Sequence, residues 1–142
     1  MDPVNKPRVL VFVVAYHAEK TIAGVIRRIP ANLLDLYDVD VLIIDDASSD
    51  ATFEKSHYVS RTSGGLFPIR VLYNPINQGY GGNQKLGYHY ALKYGYDVVA
   101  LLHGDGQYAP ECLPELLEPI RTGKADAVFG SRMLTPGGAW QG

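Results

Sequence analysis

At 142 residues and 46% hydrophobic content, the chain has enough apolar material to build one soluble globular domain with a real core. Its net charge of −2 comes from 13 basic and 15 acidic residues mixed along the chain, which argues against nucleic acid as a partner and against a polybasic membrane patch. The single cysteine, Cys112, excludes an internal disulfide, permits a reducing compartment and reads as a small packing residue at a helix start. The longest apolar run, residues 9–16, is too short to span a bilayer and has no cleavage-like site, so neither signal peptide nor anchor is expected.

Strand and helix signals alternate from end to end. VLVFVVA (9–15) is continuously apolar and rich in β-branched residues, the pattern of a parallel strand covered on both faces. Residues 21–29 follow as a helix with Ile22, Val25, Ile26 and Ile29 on one face, stopped by Pro30. VDVLII (39–44) is a second buried strand ending at Asp45 and Asp46, after which Ser48, Ser49 and Asp50 offer caps for a helix over 51–60. The spacing then predicts a loop over 62–67, a strand over 69–73, a helix opened by the Gly-rich stretch 77–83 and running to 94, and a strand over 98–102. A helix over 110–121 and a fifth strand over 125–129 complete the pattern. The fold class is α/β: one domain over 1–142, a doubly wound, mainly parallel sheet with helices on both faces.

In such sheets ligands bind beyond the carboxyl ends of the strands, and polar residues collect there in this chain. Tyr16, His17 and Glu19 follow the first strand, Asp45, Asp46, Ser48 and Asp50 the second, and His103, Asp105 and Gln107 the fourth. Three carboxylate-bearing tips at one edge repel one another unless a cation or a donor-rich ligand lies between them. If extended backbone continues past Leu102, residues two apart share a face, so His103, Asp105 and Gln107 converge as a mixed set suited to Mg²⁺ or Mn²⁺. The first turn, AYHAEK, lacks the glycines of a dinucleotide fingerprint, and no G-x-x-x-x-G-K-[ST] occurs. A metal at the fourth tip then becomes the natural partner for phosphates, and the Asp45–Asp46 pair an acceptor for a base N–H. Tyr88, Tyr90, Tyr94 and Tyr96 read as core packing or an interface.

The chain resembles the family 2 glycosyltransferases with a GT-A, Rossmann-like fold, and within them the dolichyl-phosphate mannose and polyprenyl-phosphate sugar synthase branch. Carrying the resemblance are VVAYHAEKTI, VLIIDDASSDAT, NPINQGYGGNQKLGYHYAL, LLHGDGQYAPE and DAVFGSRM, in order and with family-like spacing. It implies that Tyr16 and Asp46 help hold the nucleotide base, that Asp105 and Gln107 bind the divalent metal, and that Arg132 lies near donor or acceptor phosphates. The first Asp of the family's Asp-x-Asp falls at His103, a ligand when neutral that favours a softer ion. The family's Glu after the first strand falls at Ala18, with Glu19 beside it.

The resemblance implies an enzyme that transfers sugar from a UDP- or GDP-sugar to an acceptor such as a polyprenyl phosphate, in the cytoplasm or at the cytoplasmic membrane surface. No residue is singled out as general base. The alternatives are a sugar nucleotidyltransferase and a nucleotide-binding or oligomerisation module without turnover. Only ten residues follow Arg132, so the chain reads as a donor-binding part with its acceptor side open, able to self-associate into a homo-oligomer through the tail 134–140.

Overall fold

In the computed structural model, which describes residues 5–130, the continuous apolar run becomes β1 (Arg8–Ala15), the central strand. It pairs in parallel with β2 (Asp38–Asp45) on one side and with β4 (Val98–His103) on the other, while β3 (Ile69–Tyr73) adds to the far edge of β2. The order is β3-β2-β1-β4. The chain therefore winds outward through β2 and β3, then crosses back to the other side of β1, and the strand order reverses between β1 and β4.

Period-2 alternation sends the two halves of each strand into separate cores. Val9, Val11, Val13 and Ala15, with Val39, Val41 and Ile43, face α1 (Ile22–Arg27), α2 (Thr52–Thr62) and α4 (Leu113–Arg121) through Ile22, Val25, Ile26, Val59, Leu113 and Leu117. Leu10, Phe12, Val14, Leu42 and Ile44 face α3 (Gly79–Lys93), whose Ala91 joins them. Helices thus cover both faces. Here α3 comes so close that a Cβ on Gly87 would overlap the ring of Phe12, itself fully buried.

The tyrosines sort by position. Tyr90 packs against Tyr94 and Tyr96, and the Tyr96 hydroxyl donates to Asp40 at 2.6 Å while the Arg8 guanidinium lies 4.4 Å over its ring. Burial and the bond to Asp40 push that hydroxyl well above its ordinary pKa. This cluster braces the amino ends of β1 and β2, at the opposite edge from the polar tips.

Three expectations are corrected. Residues 125–129 form no strand: the chain leaves α4 through Gly123 (φ +74), the Ala125 amide donates to the Pro119 carbonyl at 3.1 Å, and Phe129 is 90% exposed. An alternating apolar pattern makes a strand only where an edge accepts it. Pro110–Cys112 is a 3-10 turn, so the last helix starts at Leu113. Cys112 is exposed there, not packed.

Replacing Gly87 by Ala adds helix propensity but forces Phe12 to move, and overpacking wins: denaturant unfolding is expected to show a loss of about 1–3 kcal/mol. An unchanged or raised midpoint would mean that α3 does not sit on Phe12. A second expectation concerns pH. Arg28 at the end of α1 grips Glu111 at 2.5 and 2.8 Å, and this hydrogen-bonded pairing lowers the Glu111 pKa. A carboxyl depressed on folding stabilises above its ordinary pKa and loses that contribution as pH falls through the lowered folded value. Glu111→Gln should therefore cost no more than about 1 kcal/mol at pH 7, since the pair is solvent-exposed, and less at pH 3 than at pH 7, as measured by urea titration at both pH values.

Candidate functional site

The tips of β1 and β2 are laced together by side chains that bond to the neighbouring backbone. The His17 amide donates to Ser48 Oγ (3.0 Å), the Ala18 amide to Thr52 Oγ1 (2.8 Å) and the Glu19 amide to Asp50 Oδ2 (3.4 Å). In return, Glu19 Oε2 accepts the Ala51 amide at 3.1 Å, an anion in front of the α2 N-terminus, where the helix dipole favours it. Asp50 Oδ1 accepts the Thr52 amide and hydroxyl; burial pushes its carboxyl up, but these bonds outweigh it and hold the pKa below the ordinary value. His17 (φ +48) and Ala47 (φ +60) sit in the left-handed region that side chains avoid, so both tips carry backbone strain.

The two aspartates of the second tip differ in what they hold. Asp45 is turned into the turn: Oδ1 takes the Ser48 amide (3.0 Å) and hydroxyl (2.5 Å), and Oδ2 is sealed from solvent without a partner. Asp46 is also buried, but its Oδ1 is clamped by the Gln78 amide (2.7 Å) and Asn74 Nδ2 (2.9 Å), and its carbonyl accepts Asn77 Nδ2 (2.9 Å). Asn83, buried in α3, extends the clamp by donating to the Ile44 carbonyl at 3.1 Å. Among the described residues no donor reaches Asp46 Oδ2 within hydrogen-bond distance.

At the fourth tip the extended backbone stops at His103. Gly104, pressed so close to β1 that a Cβ would meet the Val14 carbonyl at 3.2 Å, and Gly106 (φ +78) turn the chain. The strand alternation that would align His103, Asp105 and Gln107 therefore ends, and each has its own setting. His103 lies between Tyr80 and Tyr108, ring centroids 5.0 Å away on each, with Nε2 3.1 Å from the Tyr80 hydroxyl. Asp105, exposed, uses Oδ1 to accept the Gln107 amide at 3.1 Å. Among the described residues, no three His, Cys, Asp or Glu side chains come together as a metal cluster.

The expected repulsion among acidic tips is relieved locally. Asp45, Asp46, Asp50, Glu19 and Asp105 each accept a backbone N–H, so the carboxylates need no cation merely to coexist. The sequence reading missed the amides Asn74, Asn77 and Gln78 and the rings of Tyr80 and Tyr108. The polar run NPINQGY was the available signal. Tyr16 is half-exposed and stacked on His17 at 4.1 Å beside the switch point, and Arg132 lies outside the described residues.

Residues 10–141 match the family described as Glycosyl transferase family 2. The chain belongs to that family. It is 38% identical over 117 residues to an undecaprenyl-phosphate mannosyltransferase of Micrococcus luteus, a match covering 80% of this chain and 46% of the relative. The chain thus spans about half the length of that curated relative. Among solved structures it is similar to mannosyltransferase PcManGT from Pyrobaculum calidifontis in complex with GDP-Man and Mn²⁺ (22% identity, TM-score 0.57, covering 73% of this chain and 29% of that one). It is also similar to glucosyl-3-phosphoglycerate synthase from Mycobacterium tuberculosis in complex with Mn²⁺, UDP-Glc and phosphoglyceric acid (22%, TM-score 0.60, 83% and 40%). These likenesses show the GT-A fold. Membership of a glycosyltransferase family sets aside the sugar nucleotidyltransferase reading, and among the described residues no helix is long and apolar enough to cross a membrane.

The strain at the second tip is testable in isolation. Ala47→Gly relieves a left-handed residue at the cost of chain entropy, so a net gain of about 0.5–1 kcal/mol is expected in thermal unfolding. A lower Tm would show that Ala47 is not held at positive φ.

Proposed function

We propose that this family 2 glycosyltransferase chain binds a nucleoside diphosphate sugar at the β1–β4 switch point, and that the sugar passes to a polyprenyl phosphate. One observation carries the reading: Asp46, buried and fixed through Oδ1, keeps Oδ2 uncommitted at the carboxyl edge of the sheet. A clamped carboxylate with one free oxygen is a ready acceptor for the imide or amide N–H of uracil or guanine. Tyr16, half-exposed at the neighbouring tip, offers a ring face to the same base. Asp45 and Glu19 support this arrangement from beneath, Asp45 by closing the turn and Glu19 by fixing the start of α2.

The diphosphate falls toward the β4 tip. There the Asp105 oxygen not used by Gln107, with the Gln107 side chain, would hold a divalent ion whose remaining ligands are phosphate oxygens and water, the way Mg²⁺ and Mn²⁺ are commonly bound. Such an ion supplies charge neutralisation to the leaving nucleoside diphosphate. The complexes of PcManGT with GDP-Man and Mn²⁺ and of the synthase with UDP-Glc and Mn²⁺ support both the donor class and the metal. The name of the Micrococcus luteus relative supports a polyprenyl phosphate acceptor, hence work at a membrane surface. A phosphate oxygen of that acceptor is already anionic and attacks the anomeric carbon without a general base, while the bond to the nucleoside diphosphate breaks. Arg132 and the tail 134–140, expected near phosphates and at a homo-oligomer contact, lie outside the described residues.

Calorimetry tests the reading. Asp46→Asn keeps the clamp on Oδ1 but presents a donor to the base, so affinity for GDP or UDP should fall about tenfold or more while inorganic pyrophosphate binding is unchanged. Asp105→Asn should reduce nucleotide affinity in Mn²⁺ to its value in EDTA. Equal loss of nucleotide and pyrophosphate in the first variant, or equal affinity of the unaltered protein in Mn²⁺ and EDTA, would overturn the respective assignment.

A further inference from the structure

The imidazole at the β4 tip is held by a short relay that starts on α3. Gln84 and Tyr80 are four residues apart, hence on one helical face, and Gln84 Nε2 donates to the Tyr80 hydroxyl at 3.0 Å. That hydroxyl lies 3.1 Å from His103 Nε2. A phenol carries one hydrogen. With Gln84 donating into its oxygen, Nε2 is the one polar neighbour among the described residues that can take that hydrogen, and taking it makes Nε2 the unprotonated ring nitrogen. Partial burial and the nearby phenols of Tyr88 and Tyr108 raise the Tyr80 pKa, so the hydroxyl remains a donor at neutral pH. Stacking on Tyr80 (interplanar angle 22°) and contact with Tyr108 fix the plane of the ring as well.

From this relay we infer that Gln84 and Tyr80 lock His103 as the Nδ1–H tautomer, so that it meets the ligand as a hydrogen-bond donor to a diphosphate oxygen and not as a metal ligand. The consequence rests on the donor-site reading above; the tautomer does not. Nε2 is spent on Tyr80, and no acceptor among the described residues takes Nδ1–H, which leaves that proton for an anionic oxygen at the switch point. A hydrogen-bond donor there contributes to phosphate binding without adding to the negative charge carried by Asp105. The softer ion that a histidine ligand would favour is then no longer expected, because the groups left to hold a metal would be oxygens.

Long-range ¹⁵N–¹H NMR reads the tautomer directly in the ligand-free protein, with His103→Phe assigning the signal. The expected result is Nδ1–H for His103 in the unaltered protein and a shift of population toward Nε2–H in Tyr80→Phe. Finding Nε2–H in the unaltered protein, as a reversed Gln84 amide would give, or no change in Tyr80→Phe, overturns the inference. GDP and UDP with Mg²⁺ are then titrated in. Nδ1–H should move on binding, His103→Phe should lose about tenfold or more in affinity, and His103→Asn, which keeps a donor near the Nδ1 position, should stay within about threefold. Nucleotide binding with an unmoved Nδ1–H, or an Nε2 signal displaced by Mg²⁺ or Zn²⁺ alone, overturns the donor role and leaves the donor site standing. Absence of any nucleotide binding overturns the donor site itself, and with it the ligand role of His103.

Discussion

Because β1 is buried on both faces, this chain can place polar chemistry only where its central strand ends. A parallel strand covered by helices above and below exposes neither side chains nor edge, so every group that must meet water or ligand is pushed into the turns. The outward winding through β2 and β3 and the return to β4 then decide which turns are neighbours. The tips of β2 and β4 flank that of β1, and the reversal of strand order leaves the crevice between β1 and β4. Gly87, which lets α3 lie on Phe12, leaves no room for a Cβ, and Gly104, which lets β4 lie against the Val14 carbonyl, leaves only a tight fit for one.

Within that frame, the carboxylates do two kinds of work. Asp45, Asp50 and Glu19 spend their charge on backbone N–H groups and shape the loops; each is a substitute for the ladder that the strands no longer provide. Asp46 also gives one oxygen to a backbone N–H, but its second oxygen is not sealed from solvent as that of Asp45 is. The difference lies in what arrives from α3 and the loop before it: Asn74 and Gln78 reach Oδ1 and stop there. A carboxylate immobilised on one side and unclaimed on the other is preorganised, since the entropy of fixing it is lost on folding and not on binding.

The strands and helices were legible where burial made the pattern simple. β1 and β2 follow from unbroken β-branched runs, and their polar ends mark the functional edge. The expected strand over 125–129 has apolar residues but no partner strand, because the turn after α4 commits the Ala125 amide to Pro119. At His103–Gln107 the alternation rule reaches beyond the last extended residue; the two glycines that end it were visible, but the closeness of Gly104 to β1 was not. Tyr80 and Tyr108 were illegible for a different reason, since an aromatic residue in a helix or loop has no pattern that says it will bracket a histidine brought in from another strand.

The register of the sheet also orders its assembly. Val9 pairs with Val39, thirty residues on, and with Val98, eighty-nine residues on. Closing the longer loop costs about 1 kcal/mol more in chain entropy than closing the shorter one. The β1–β2 pair is thus the cheaper nucleus, and the β4 strand docks against an edge that already exists. The crevice lies along that last seam, so the surface on which the ligand sits comes into being with the final pairing. Any ligand seated there would act as a clasp on the least local strand pairing among the described residues.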